Sequence, residues 1–315
     1  FGARTIFLSP AWFIIGSILI LAAACCKHFP RKATLTVATL VAGLALATVP
    51  GIANKNELTV FALDVGQGDA TILQMPNGKN YLVDGGGLYS ERFDTGERLV
   101  APALGHLGID QLDAVILSHD HPDHRKGLAY VLENFPAKEF WSSMTETKIH
   151  PSLLKPIKEK QMQIRQFQPG WHQIDNENNL EVFVPGNTST RLNDHSLILY
   201  ARHDSDGLIL TGDLEKTGIE ELAASSIPGP VTLLKLPHHG SRKSNPALLL
   251  NKYRPKLAFS SVGHDNRYGL PHSTVLATLK NASIPLQRTD RDGTIRLASQ
   301  GHGWVITHWK KGLFR

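Results

Sequence analysis

Apolar positions set the rhythm of this chain, and the rhythm changes from segment to segment. From Glu57 onward, residues 58–63 (LTVFAL) read as a strand that ends at Asp64-Val65-Gly66-Gln67-Gly68-Asp69. Residues 70–75 form a second strand, Pro76-Asn77-Gly78 a turn, and residues 80–83 a third strand closing on Asp84-Gly85-Gly86-Gly87. Short β-rich runs bounded by Gly, Asn and Pro carry that reading. Residues 96–107 read as helical. The run Ala114-Val115-Ile116-Leu117 is apolar at successive positions, as a strand buried on both faces is. It breaks into a polar loop, Ser118-His119-Asp120-His121-Pro122-Asp123-His124, and a helical pattern follows from Gly127 and Leu128 to Leu132. Strands are then expected at 139–142, 181–184, 197–201, 208–210, 231–236, 256–261, 294–297 and 305–309. Helices are expected at 151–160, 215–224, 246–253 and 273–280. The alternation predicts one mixed α/β domain over residues 54–315, most simply two sheets with helices outside.

The first 53 residues follow another pattern. Residues 5–26 are a nearly uncharged apolar run of 22, long enough to span a bilayer core, and residues 33–53 are a second charge-free run rich in Ala, Thr and Gly. Between them lies the basic hairpin Lys27-His28-Phe29-Pro30-Arg31-Lys32. The pattern predicts two transmembrane helices over 1–53, with the hairpin cytoplasmic and everything after Asn54 on the extracytoplasmic side of an inner or plasma membrane. A cleaved signal peptide does not explain two apolar runs; a buried helical hairpin of a soluble protein is the alternative. A chain that starts at Phe1 rather than Met is expected to be a piece of something longer.

Charge refines this picture. The net charge is +5, but residues 1–53 carry four basic and no acidic residues, and residues 235–315 hold 14 Lys and Arg against three Asp and Glu. A basic C-terminal third is the electrostatic footprint of a polyanion partner, with scattered solvated cations as the alternative. The only cysteines, Cys25 and Cys26, are adjacent and lie in the first apolar run, so the globular part has neither a disulfide framework nor a thiolate metal site.

The chemistry concentrates where apolar strands end. Imidazoles and carboxylates spaced H-x-H-x-D-H on such a loop suit two divalent ions and leave positions open for water. In an extended loop His119 and His121 point the same way and can grip one ion, while Asp123 and His124, past the turn at Pro122, can face a second. Asp213, after Gly207-Leu208-Ile209-Leu210-Thr211-Gly212, is placed to bridge the two ions; capping the next helix is its alternative role. His238-His239-Gly240-Ser241 follows another strand, and one of its histidines is expected to ligate the second ion, His238 being the first choice. Asp64 is expected to orient a ligand or its loop. His195 either completes the first ion's set or merely begins a strand. Ser241, Arg242, Lys243 and Ser244, with Arg267 and Tyr268, offer donors for a phosphodiester, or form plain surface loops.

These features together resemble a known family. Leu63-Asp64-Val65-Gly66-Gln67-Gly68-Asp69-Ala70, Val83-Asp84-Gly85-Gly86-Gly87, Ser118-His119 through Asp123-His124, Thr211-Gly212-Asp213, Pro237-His238-His239-Gly240-Ser241, Asn266-Arg267-Tyr268-Gly269 and Arg288-Thr289-Asp290-Arg291-Asp292-Gly293 occur in the order found in the metallo-β-lactamase superfamily. More narrowly, they are similar to the C-terminal part of the ComEC family of DNA-internalisation competence proteins. The resemblance implies an αβ/βα sandwich with a dinuclear site (zinc or manganese) at its edge. It implies a nuclease that degrades one strand of incoming DNA while the other crosses the membrane. By the same likeness His119 and His121 bind the first metal, Asp123, His124 and one of His238 and His239 the second, and Asp213 bridges. Arg125-Lys126 and Leu270 depart from the family pattern.

The expected function is therefore metal-dependent hydrolysis of DNA phosphodiesters, with Asp123 and Asp213 in catalytic roles. The partners expected are DNA, single-stranded and held by its backbone without base specificity, the membrane, the rest of a polytopic channel and other DNA-uptake components. Two alternatives are a hydrolase of a small lactone, thioester or β-lactam, and a DNA-binding receptor with an inactive site.

Overall fold

Strands that are apolar at every position need cover on both faces, and this chain supplies it with a second sheet on one side and helices on the other. The structure, a computed structural model, describes Ile18 and residues 56–87, 93–175, 179–186 and 189–309. The strands in chain order are β1 (Leu58–Ala62), β2 (Thr71–Gln74), β3 (Asn80–Val83), β4 (Leu112–Leu117), β5 (Ala137–Ser142), β6 (Gln163–Gln166), β7 (Gly170–Asp175) and β8 (Leu180–Val184). They continue with β9 (Ile198–His203), β10 (Asp206–Leu210), β11 (Leu233–Lys235), β12 (Leu257–Ser260), β13 (Leu286–Arg288), β14 (Thr294–Ser299) and β15 (Trp304–Trp309).

One sheet has the order β15-β14-β1-β2-β3-β4-β5-β6 and the other β13-β12-β11-β10-β9-β8-β7. In each, an antiparallel half gives way to a parallel half. β3, β4, β5 and β6 run parallel in the first sheet, and β10, β11, β12 and β13 in the second. Parallel strands need crossovers, and helices provide them: α1 (Ala101–His106), α2 (Pro122–Asn134), α3 (Pro151–Glu159), α4 (Lys216–Ala224), α5 (Ala247–Tyr253) and α6 (Ser273–Asn281), while the short α7 (Thr289–Asp292) leads from β13 back to β14 of the other sheet.

The pleat of β4 shows how the layers are assigned. Ala114 and Ile116 point into the core between the sheets, beside Leu199, Leu208, Leu233 and Phe259. Val115 and Leu117 point the other way, onto Leu104, Leu128, Val131 and Leu153 of α1, α2 and α3. The second sheet repeats the arrangement, with Ile209 and Leu234 against Ile219, Leu222, Leu249 and Val275 of α4, α5 and α6. The result is an αβ/βα sandwich in which the C-terminal ends of both sets of parallel strands open at one rim, where crevices form in open α/β sheets.

Three local outcomes differ from the sequence expectation. The helix after β4 begins at Pro122, five residues earlier than expected, so Asp123 and His124 stand on its first turn and not on a loop. Proline at the first helical position is the signal for this, since its missing N–H is never needed there. Second, β6, β7 and β13 were not expected: β6 is polar (QIRQ) and at a sheet edge, without the alternation that marks a strand. Third, residues 96–107 begin with a π-helical turn (Gly96–Val100) that leads into α1. The two apolar runs expected to cross a membrane lie within residues 1–53, outside the described residues apart from Ile18. No helix among the described residues is long and apolar enough to cross a membrane.

α2 is seated directly on the backbone that follows β3. A Cβ on Gly127 would lie 2.0 Å from the Gly85 carbonyl oxygen, so only glycine permits the approach. Gly127 N–H donates to Gly86 and Gly85 N–H to the His124 carbonyl, at 3.1 and 2.7 Å. This seating fixes His124 against Asp84.

Candidate metal centre

The site begins with Asp84, at the end of β3. Its backbone is left-handed (φ 60°), a conformation Asp tolerates better than most residues. Its buried carboxylate accepts from the Ser118 N–H at 2.8 Å, the Ser118 hydroxyl at 2.7 Å and His124 Nδ1 at 2.8 Å. Because the Ser118 proton is committed to Asp84, the contact of 3.1 Å between His119 Nδ1 and Ser118 Oγ has the histidine as donor. One carboxylate thus fixes the Nδ1 atoms of both rings, so that each turns its Nε2 toward the centre.

From β4, His119 Nε2 lies 3.0 Å from His121 Nδ1, near the about 3.3 Å between two nitrogens on one tetrahedral zinc. From β10, Asp213 Oδ2 sits 3.3 Å from His124 Nε2 and 3.4 Å from His239 Nε2. After β11, His239 donates Nδ1–H to the Ser261 carbonyl at 2.9 Å and turns Nε2 toward Asp213 and Asp123, the latter at 3.7 Å. His238 and His239 are consecutive left-handed non-glycine residues (φ 47° and 54°), and this strained turn sends their imidazoles to different partners. His238 has Nδ1 3.3 Å from Glu215 and Nε2 3.8 Å from Asp213.

The sequence reading did not assign Asp69 to the site. It is buried in the loop before β2, reached through Gly68, whose Cβ would stand 2.2 Å from the Asp123 carbonyl oxygen. Donor atoms of Asp69, His124, Asp213 and His239 all lie within 4.8 Å of one another, and all four residues are buried. Asp69 Oδ1, His124 Nε2, Asp213 Oδ1 and His239 Nε2 are buried without a hydrogen bond. Buried polar atoms are almost always partnered, and a divalent cation among these donors would supply what they lack.

Electrostatics agree. Burial opposes charge on His124, yet Asp213 and Asp84 overcome it and hold the imidazolium well above the usual histidine range. Against the same burial, Asp213 and Asp69 push His239 up to about 10. Burial and the neighbouring His124 keep His119 neutral, well below its usual range. Burial would raise Asp213 and Asp123, but the histidine partners hold Asp213 well below the carboxylate range and His239 brings Asp123 below it too. Protons on His124 and His239 thus offset the carboxylates around them.

The family follows from sequence as well. Residues 63–264 match the metallo-beta-lactamase superfamily, well over half of the chain. The chain belongs to the metallo-beta-lactamase superfamily. Its relatives include ComE operon protein 3 of Bacillus subtilis (strain 168), 31% identical over 78% of this chain and 33% of its own length. Recombination protein 2 of Haemophilus influenzae is 31% identical over 78% of this chain and 29% of its own. Competence protein ComA of Neisseria gonorrhoeae is 27% identical over 81% and 34%. The chain spans about a third of the length of these relatives.

Within this metallo-beta-lactamase sandwich the remaining sequence candidates are distributed around the centre. Asp64 accepts from Gly66 N–H and its own N–H donates to Thr294, bracing the β1–β2 loop. His195 places Nε2 on the Ser189 carbonyl at 2.7 Å, so that nitrogen is engaged by the backbone. Ser241 caps the turn through Lys243 N–H, and the buried Ser244 donates to the Pro237 and Ser241 carbonyls, which engages its hydroxyl in the turn. Arg242 and Lys243 are exposed, as are Arg267 and Tyr268, whose guanidinium lies 5.1 Å from the ring centroid. Their loop is tied to the centre's segments by His272 N–H to the Gly240 carbonyl and Gly263 N–H to Gln67.

Proposed function

We propose that this chain hydrolyses phosphodiester bonds of DNA taken up across a membrane, at a centre that holds two divalent ions, zinc or manganese. The observation that carries the reading is the convergence of bare buried donors from Asp69, His124, Asp213 and His239 beside the His119–His121 pair. Relatives named for competence and recombination support DNA as the substrate, and so does the excess of basic residues in 235–315.

In this reading His119 and His121 would hold one ion and Asp123, His124 and His239 the other, with Asp213 available to both. The ions supply Lewis-acid charge to a phosphoryl oxygen and to the attacking water. Asp123, its side chain 32% exposed, faces solvent at the rim. So acidic a carboxylate accepts a hydrogen bond from water and orients it, without holding its proton. Arg242, Lys243 and Arg267 hold the DNA backbone by charge, without reading bases. Residues 1–53 are two spans of a polytopic channel that present the hydrolase on the extracytoplasmic side to other uptake components.

The test uses the 315-residue chain in detergent, loaded with manganese or zinc, on end-labelled single- and double-stranded DNA, with a nitrocefin-type lactam alongside. DNA cleavage that needs the metal and is lost in the double variant His121→Ala, Asp213→Ala is expected. Cleavage unchanged in that variant, or turnover of the lactam alone, contradicts the reading.

A further inference from the structure

Lys235 is a charged residue in an otherwise apolar strand, Leu233-Leu234-Lys235-Leu236, and nothing above gives it a role. It is 3% exposed, on β11 of the second sheet. Its Nζ lies 2.6 Å from Asp69 Oδ2, across the gap to the first sheet, and donates to the Gly212 carbonyl at 3.2 Å. It therefore touches both the loop that carries Asp69 and the turn that presents Asp213. Burial works against its charge, but Asp69 and Asp213 more than offset this and keep it an ammonium. An ammonium has no lone pair and cannot ligate a metal. Buried Asp69, Asp84 and Asp213, with Asp123 beside them, concentrate four carboxylates around the centre.

We propose that Lys235 is a positioning residue that serves as the resident cation of the centre: it stabilises the metal-free form by pinning Asp69 and the Gly212–Asp213 turn, and it tempers affinity for divalent ions. The inference rests on the metal-centre reading above. Asp69 shares its charge with Lys235, so an incoming ion meets a centre that is already partly compensated. Its ions accordingly exchange more readily than the donor set alone would allow. A merely structural ion pair would support the metal-free and metal-loaded forms equally; a resident cation supports the metal-free form more.

The test compares the full chain in detergent with Lys235→Met, which keeps an unbranched side chain one atom shorter and removes its charge. A control is Lys138→Met, since Lys138 pairs with Asp113 at a similar 2.7 Å but is exposed. Thermal midpoints are measured with chelator and with excess manganese, and manganese affinity by competition with a fluorescent chelator. The expected result is a wider gap between the two midpoints in Lys235→Met, with manganese held about tenfold or more tightly, and no change of gap in Lys138→Met. An equal or narrower gap, or unchanged or weaker affinity, overturns the assignment. If Lys235→Met folds only when loaded, chelator competition from the loaded state still gives the affinity that decides. If the wild-type chain binds no divalent ion, the metal-centre reading fails, and this inference with it.

Discussion

Asp84 touches no ion in this arrangement, yet its replacement by Asn tests how the centre is built. The change is nearly isosteric, and Asn accepts the left-handed backbone at φ 60° as readily as Asp, so the main chain does not confound the result. The wild-type carboxylate takes three hydrogen bonds of 2.7–2.8 Å, from Ser118 twice and from His124. In Asp84→Asn the carbonyl oxygen still serves the Ser118 N–H, and the serine hydroxyl can rotate. His124 is left with its Nδ1–H against an amide NH₂. When His124 gives up one proton on metal binding, it now sheds the one on Nδ1 and keeps the one on Nε2, the atom that faces Asp213 at 3.3 Å. That nitrogen can no longer ligate. Loss of such an outer partner costs 10–100-fold in metal affinity, about 1.4–2.7 kcal/mol. The lost charge-assisted bond costs about 1–3 kcal/mol of folding stability. Chelator competition and thermal unfolding read the two effects separately. Wild-type affinity in Asp84→Asn would refute the reasoning that Asp84 governs the tautomer of His124.

Metal binding should release protons, because His124 and His239 are imidazolium in the metal-free centre and must be neutral as ligands. Titration calorimetry at pH 7 in buffers of differing ionisation enthalpy should find about two protons released when the second ion binds. The same shift bears on stability: a raised histidine stabilises the metal-free fold fully below the unfolded value of 6.5 and loses that contribution as pH rises toward about 10. The thermal midpoint of the metal-free protein should therefore fall across that window more than that of the loaded protein. Gly68→Ala would drive a Cβ into the Asp123 carbonyl at a φ of +121°, and should cost more than about 2 kcal/mol of stability and metal binding with it; unfolding and metal analysis of the variant check this.

Much of the candidate centre was legible because its proposed ligands follow apolar strands. His119, His121 and His124 stand within six residues after an apolar run, and Asp213 and His239 follow two more strands that the sandwich brings to the same rim. What escaped was of two kinds. Asp69, Asp84 and Ser118 act through the third dimension: Asp69 reaches the cluster only because Gly68 lets its loop lie on the Asp123 backbone, and no sequence spacing announces that. Lys235 did leave a signal, a lone charge between leucines in a strand with no polar face. The turn at His238 and His239 shows a different limit. Two adjacent histidines have equivalent chemistry in sequence, and only the left-handed backbone decides that His239 turns toward the buried donors while His238 faces Glu215. The edge strands were missed for the opposite reason: β6, half wet, carries no apolar period for a pattern to register.

The central claim is that side chains from separate strand ends close on divalent cations. The most direct measurement is anomalous diffraction, at the zinc or manganese edge, from crystals grown with that metal. Peaks about 2.0–2.2 Å from His124 Nε2, His239 Nε2 and an Asp213 oxygen, and from the facing nitrogens of His119 and His121, are the expected result. A crystal saturated with metal that shows no peak at this rim, with His124 Nε2 still 3.3 Å from Asp213, would contradict it.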